Sequence, residues 1–377
     1  MGAEAGTEIN VRSDLAGADP RGCPADAAMA KSPRATAAGC PYINPIEFVV
    51  THRLTNMLVR AIALLVFFIT SGLPSFAQER VRIGVSSRGF GSLPLFVADK
   101  KGFYAKYGFR PETVLLRSSV AVPALLSGDL DFYNGFQPAV SAALRGIPIK
   151  LVMMGAEKVI FMILVKPEVK SLNDLKGKTI GVSSAGSTIH LSLLTILNQF
   201  RIDAAKDVKI LPAGDVRSQL AAMQAGRIDA ASHGPPLDTL GTALGYKILL
   251  WDKDHVDIPI SGLDVSDQKL QKAPEQVKRM IKALIESQRF IRSQKDESTK
   301  LIGEWMSVDA ATADNLYKNL GAIFSIDGTL TERALRASIQ MESELAKTHF
   351  TVPLSTIFDN RVLLDAQQEL RKDRLLK

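Results

Sequence analysis

Ile180-Gly181-Val182-Ser183-Ser184-Ala185-Gly186-Ser187-Thr188-Ile189-His190 reads as a short buried strand, a turn of small hydroxyl residues and glycine, and the first turn of a helix. The apolar positions of that helix continue through Leu191, Leu194, Ile196 and Leu197. With Ser187 or Thr188 as N-cap, the free N–H groups of the first turn and the positive end of the helix dipole point into the turn, an anion-sized socket. The first five letters occur again as Ile83-Gly84-Val85-Ser86-Ser87, also followed by a glycine, Gly89.

The repetition extends outward. Leu126-Ser127-Gly128-Asp129-Leu130-Asp131 is echoed by Gln224-Ala225-Gly226-Arg227-Ile228-Asp229, at nearly the same distance from its own strand. Each block leads to a proline (Pro138, Pro236), then to a helix-like apolar stretch ending at a glycine (Gly146, Gly245), then to a strand over 147–153 or 246–251. Two copies of one α/β unit are therefore expected, with parallel sheets and crossover helices. In such sheets a ligand sits beyond the carboxyl ends of the strands, where both Ser/Gly loops lie. Two copies facing each other make a cleft with one loop on each wall. The apolar run 159–165 reads as the crossing from the first copy to the second, and 257–262 as the return. Beyond it the chain reads as helical: 274–293 carries Val277, Met280, Ile281, Leu284, Ile285 and Ile291 at i, i+3, i+4 spacing. Further helices are expected near 310–324, 331–347 and 360–372, packing back on the first copy.

The N-terminal region reads differently. Residues 1–56 are rich in Ala, Gly, Pro and Asp without sustained period, contain both cysteines (Cys23 and Cys40), and are read as disordered or as a mis-called start. Residues 57–77 read as a signal peptide: Arg53 and Arg60, an apolar run over 61–69, a Gly72 and Pro74 break, and Ser75-Phe76-Ala77 before the cut. A single-span anchor or a buried helix is the competing reading, but the run is short for a bilayer. Six basic and six acidic residues precede the cut, so the formal +7 belongs to residues 78–377. That surplus is modest and no basic run is interleaved with aromatics, which speaks against nucleic acid and mildly for an anionic ligand. Without cysteine, the remaining chain has no disulfide and no thiolate site.

Four segments carry a family resemblance: 95–109 (Leu-Phe-Val-Ala-Asp-Lys-Lys-Gly-Phe-Tyr-Ala-Lys-Tyr-Gly-Phe), the Leu-Leu-Ser-Gly-Asp-Leu-Asp block, Asp174-Leu175-Lys176-Gly177-Lys178, and Val182-Ser183-Ser184-Ala185-Gly186-Ser187. From about Val81 to Leu250 the chain resembles the periplasmic solute-binding proteins of ABC importers for nitrate, taurine, aliphatic sulfonates and thiamine-pyrimidine precursors (NMT1/THI5-like). The resemblance implies an α/β type II periplasmic-binding-protein fold: two lobes joined by a two-strand hinge, with extra C-terminal helices. Lobe I is expected over 78–160 plus 258–377 and lobe II over 161–257. It further implies a periplasmic monomer that captures a small molecule and delivers it to an ABC permease in the inner membrane.

Residue types suggest the contacts. Ser87, Arg88, Gly89 and Phe90 on one wall face Ser183, Ser184, Gly186, Ser187 and Thr188 on the other. Arg88 offers a bidentate guanidinium for a sulfonate, carboxylate or phosphate, against the alternative of plain solvent exposure. Phe136 and Phe90 are candidates to flank an apolar or ring-shaped body, with core packing as the alternative; Gln137 stands beside Phe136. His233 occupies the place in the second copy that Gly135 has in the first. Enzyme motifs are incomplete. Gly181-Val182-Ser183-Ser184-Ala185 misses the last glycine of a nucleophile elbow, no Gly-Lys-Ser/Thr follows as in a P-loop, and His190, His233, His255 and His349 lack metal-ligand spacing. The expectation is a binding protein, not an enzyme, with no cofactor, no metal and no nucleic acid, for a small anionic organic molecule such as a sulfonate, taurine, nitrate or a carboxylate. The alternatives are binding or synthesis of a thiamine-pyrimidine precursor by the same fold, and a secreted ligand-sensing lobe.

Overall fold

A computed structural model describes residues 78–375. The expected disordered N-terminus, the signal peptide and both cysteines lie outside the described residues.

Among the described residues ten strands and thirteen α-helices alternate. The first sheet takes β1 (Glu79–Val85), β2 (Phe109–Leu115), β3 (Phe132–Tyr133), β4 (Ile149–Ala156) and, from much later in the chain, β10 (Ser261–Ser266). The second takes β5 (Met162–Val165), β6 (Thr179–Val182), β7 (Lys209–Pro212), β8 (Ala230–His233) and β9 (Lys247–Trp251). The strand orders are β2-β1-β3-β10-β4 and β7-β6-β8-β5-β9. In each sheet three strands are parallel and the fourth in the row runs antiparallel to both neighbours: β10 in the first, β5 in the second. The helices are α1 (Leu93–Lys100), α2 (Phe103–Lys106), α3 (Ser118–Ser127), α4 (Gln137–Leu144), α5 (Thr188–Gln199), α6 (Val216–Gln224) and α7 (Leu237–Ala243). After β10 come α8 (Asp267–Lys272), α9 (Pro274–Ser293), α10 (Lys295–Met306), α11 (Ala310–Leu320), α12 (Glu332–Ala346) and α13 (Arg361–Lys372).

The internal repeat has a physical cause. Asp131 accepts the Arg82 N–H through Oδ2 at 2.8 Å while its own N–H donates to the Arg82 carbonyl. Asp229 makes the same pair of bonds with Thr179, at 2.9 and 2.8 Å. Each Gly-x-x-Asp block thus pins the strand that carries its Ser loop, in the middle of β1 and at the first residue of β6. The glycine of Ile-Gly-Val is required by close approach. A Cβ at Gly84 would lie 2.7 Å from Leu130 Cδ1, and one at Gly181 2.5 Å from Ile228 Cδ1, so in both copies the apolar residue before the Asp packs across the strand.

β5 is buried on both faces. Met162 and Leu164 join a cluster with Leu220 and Leu237, whereas Ile163 and Val165 join one with Val182 and Leu193. That is why the sequence there is an uninterrupted apolar run. The amphipathic stripe of α9 closes one face of the first sheet with α13, and α3, α4 and part of α12 close the other. Pro274 stands at the first helical position of α9, as its fixed φ favours. The helix α10 is an addition to the expected set.

The chain passes between the sheets twice, and the two passages are hydrogen-bonded to each other. Val159 N–H donates to the Ile258 carbonyl at 3.1 Å and Ile260 N–H to the Ala156 carbonyl at 2.9 Å. The molecule is therefore two α/β lobes on a two-stranded hinge. Among the described residues no helix is long and apolar enough to cross a membrane.

Candidate functional site

A cavity of about 60 Å³ lies between the lobes at the carboxyl ends of the parallel strands. Ser86, Ser87, Gly89 and Phe90 enter it after β1, and Tyr133, Asn134 and Gly135 at the end of β3. The opposite wall is Ser187, Thr188 and Ile189 at the start of α5, with His233 and Gly234 at the end of β8; Ile160, Phe161 and Ile260 of the hinge close the bottom. No Lys, Arg, Asp or Glu lines it among the described residues.

The polar geometry is one of unfilled donors. Ser187 caps α5: its Oγ accepts the His190 N–H at 3.2 Å and donates to the Ser184 carbonyl at 2.9 Å. The N–H groups of Thr188 and Ile189 have no acceptor among the described residues, as expected for a first helical turn. His233 is 2 % exposed. Its Nδ1 accepts the Gly234 N–H at 2.9 Å, which leaves the proton on Nε2, and Nε2 has no partner among the described residues. Burial pushes this imidazole down to about 4, so the ring is neutral at ordinary pH. What the site offers chemically is a set of neutral N–H and O–H donors between the lobes, suited to hydrogen-bonding an acceptor-rich group. No Ser hydroxyl bonds to a His ring nitrogen among the described residues, so no nucleophile–base pair is assembled.

Of the residues singled out from the sequence, Ser87, Gly89, Phe90, Ser187, Thr188 and His233 line this cavity. Six others do not. Arg88 is exposed and lies with its guanidinium 5.8 Å from the centre of the Trp305 ring, outside the lining. Phe136 is fully buried among Val140, Leu151 and Met154, because the chain turns its side chain behind the first sheet as α4 begins. Gln137 is also fully buried and serves α12: its Nε2 donates to the Ser338 carbonyl and to Glu342 Oε1, both at 3.2 Å. Ser183 Oγ sits 3.0 Å from Ser187 Oγ and supports the cap. Ser184 joins the lobes, since its Oγ accepts the Ser118 N–H at 3.2 Å and donates to Ser118 Oγ at 3.0 Å. Gly186 takes φ +75° to make the turn, and its N–H donates to His190 Nδ1 at 3.0 Å.

Trp305 was not foreseen. Its Nε1–H donates to the Gly89 carbonyl at 3.0 Å and its ring stacks on Phe96, so α10 holds the cavity loop from behind. The Leu301, Ile302, Trp305, Met306 spacing was the available sign of a helix with that tryptophan on its inner face. Trp305→Phe keeps the stacking and removes the bond. It is expected to weaken ligand binding about fivefold at a stability cost of about 1 kcal/mol, measured by titration calorimetry and urea unfolding; unchanged affinity would show that the loop needs no such tether.

The NMT1-like family matches residues 77–307, more than half of the chain. The chain belongs to that family. A Brucella abortus (strain 2308) protein named "putative binding protein" is 28 % identical over 263 residues, 66 % of this chain and 79 % of the relative. The riboflavin-binding protein RibY of Chloroflexus aurantiacus is 26 % identical over 50 % of this chain and 56 % of its own. A Bordetella bronchiseptica RB50 structure superposes with TM-score 0.70 at 21 % identity, covering 78 % of this chain and 98 % of that one. The periplasmic aliphatic sulphonate binding protein SsuA of Escherichia coli does so with TM-score 0.56 at 20 % identity, covering 71 % and 92 %. The fold of this NMT1-like chain is thus the periplasmic-binding-protein fold. Its relatives with a stated role, here the Chloroflexus and E. coli proteins, are named as binding proteins, not as enzymes.

Proposed function

We propose that this protein is the extracytoplasmic solute-binding component of an ABC importer, capturing a small anionic organic molecule of the sulfonate, taurine, nitrate or carboxylate kind between its lobes and handing it to an inner-membrane permease. The observation that carries the reading is the convergence, in one inter-lobe cavity, of unfilled donors on the second lobe with the Ser86–Ser87 loop of the first. A ligand that touches both walls favours the closed arrangement over any open one, because those contacts exist only when the lobes meet. The cavity has room for a few water-sized groups. That suits an oxyanion head group, whereas a flavin-sized ligand needs the walls further apart.

The reading is tested by thermal-shift screening of residues 78–377 against sulfonates, nitrate, aromatic carboxylates, pyrimidines and riboflavin. At about 100 times its dissociation constant a true ligand adds about 2.7 kcal/mol, a rise of about 5 °C in a chain of this size. A panel in which no anion moves the melting point, or in which one compound is chemically consumed, rejects the transport reading.

A further inference from the structure

The cavity contains an anion-sized set of donors and no fixed positive charge, which raises the question of what balances a bound anion. Arg88, the cation beside the cavity loop, is turned onto Trp305 outside the lining. His233 is the ionisable side chain that lines the cavity with an unpartnered polar atom. Resting on the reading above, we propose that an anionic ligand enters the cleft together with one proton, and that this proton is held by His233, whose Nε2–H is the ligand's hydrogen-bond donor.

The local backbone offers Nδ1 a donor for the neutral ring and an acceptor for the charged one. In the neutral ring Nδ1 accepts from the Gly234 N–H at 2.9 Å. In the charged ring Nδ1 carries a proton as well, and the Gly234 carbonyl, 3.2 Å away, receives it. Protonation therefore requires the Gly234 N–H to turn away from Nδ1 as the Gly234 carbonyl takes over as its partner. The groups around the imidazole do not supply a competing charge inside the cavity. Asp215, the N-cap of α6, raises the imidazole's proton affinity from outside the lining, while its own Oδ1 accepts the Ser218 N–H. Arg217 on the same helix bonds to the Ser307 carbonyl. On α5, His190 receives the Gly186 N–H on Nδ1 and is itself held below its ordinary value by burial. Asp238 on α7 lies outside the lining, with its carboxyl pushed up by burial. The neighbouring strand β5 presents Met162 opposite His233.

The direction of the pH effect follows. Burial keeps the free imidazole neutral down to about pH 4. An anion at Nε2 favours the imidazolium and raises that value, so between the two values each binding event takes up a proton and affinity falls as pH rises, by up to tenfold per pH unit. Nitrate and sulfonates do not titrate in this range, so with them any such slope belongs to the protein.

The test is ¹⁵N-histidine and amide NMR of residues 78–377 at pH 6, with sodium nitrate, methanesulfonate and taurine as probes, followed by titration calorimetry of any binder from pH 5 to 8. The expected result is an Nε2–H tautomer that becomes doubly protonated with the probe, proton uptake approaching one per ligand, and loss of the pH slope in His233→Gln with binding retained. Amide shifts at Thr188 and Ile189 with an unchanged His233 ring, or a wild-type slope in His233→Gln, overturn the proton-coupled capture and leave the binding reading standing. Absence of any shift with all three probes overturns the proton-coupled capture, and the binding reading then falls only if the wider thermal-shift panel is silent as well.

Discussion

Phe136→Ala is expected to cost about 3–5 kcal/mol of unfolding free energy, the range for deleting a buried phenyl ring from a packed core. The ring is fully buried, and Leu151, Val140 and Met154 share its cluster. Gly262 on β10 gives it space, since a Cβ there would stand 3.3 Å from Phe136 Cδ2. Urea unfolding followed by circular dichroism measures the loss. The variant also separates two roles that the sequence left open. A core residue lowers the unfolding midpoint whatever ligand is present, whereas a ligand contact lowers affinity and leaves the ligand-free midpoint unchanged. The second outcome would return Phe136 to the site.

Asp252→Asn is expected to stabilise the protein at pH 8 by on the order of 3 kcal/mol and to have little effect near pH 4. Asp252 follows β9 and is fully buried; its Oδ2 accepts from Ser192 Oγ on α5 and its Oδ1 has no partner. Burial pushes the carboxyl up to about 7, with the Ser192 bond opposing. The folded state therefore holds this proton up to about pH 7, whereas the unfolded chain releases it near pH 4. Stability contributed by the neutral form is fully present below the unfolded value and declines as pH rises between the two. An amide keeps an acceptor for Ser192 and never ionises, so the variant's advantage over wild type should grow across that window and level off above it. Urea midpoints for both proteins at pH 4, 5.5, 7 and 8 provide the measurement; a constant difference at all four would mean that Asp252 is not the titrating group.

The features legible in the sequence were those dictated by local geometry repeated twice. The Gly-x-x-Asp blocks could be aligned because both aspartates make the same pair of backbone bonds to the strand ahead of them, at Arg82 and Thr179. α9 could be delimited because its stripe is regular and its first residue is proline. His233 could be placed opposite Gly135 by counting from those aspartates, and both positions line the cavity. What the sequence could not show was the direction a side chain takes after the last residue of a strand. Gln137 turns away from the cavity because α12, far along the chain, supplies its partners, and Phe136 because Gly262 of β10 leaves room for its ring in the core behind the sheet. Arg88 turns outward because Trp305, also remote, offers its ring. Ser184 looks like part of an anion socket until Ser118 of the other lobe is placed beside it. In each case the deciding group lies more than sixty residues away, beyond the reach of any periodicity.

The hinge has a kinetic consequence. Its two antiparallel passages are tied at Val159–Ile258 and Ala156–Ile260, and a ribbon of two bonded strands bends readily but slides poorly. In the proposed capture between the lobes, opening and closing would thereby reduce to rotation about one line. The Ser86–Ser87 loop, tethered by Trp305, and the capped start of α5 then travel as preformed surfaces. On that proposed reading little conformational disorder has to be frozen at the moment of contact, and the rate of capture is expected to follow how often the ribbon bends.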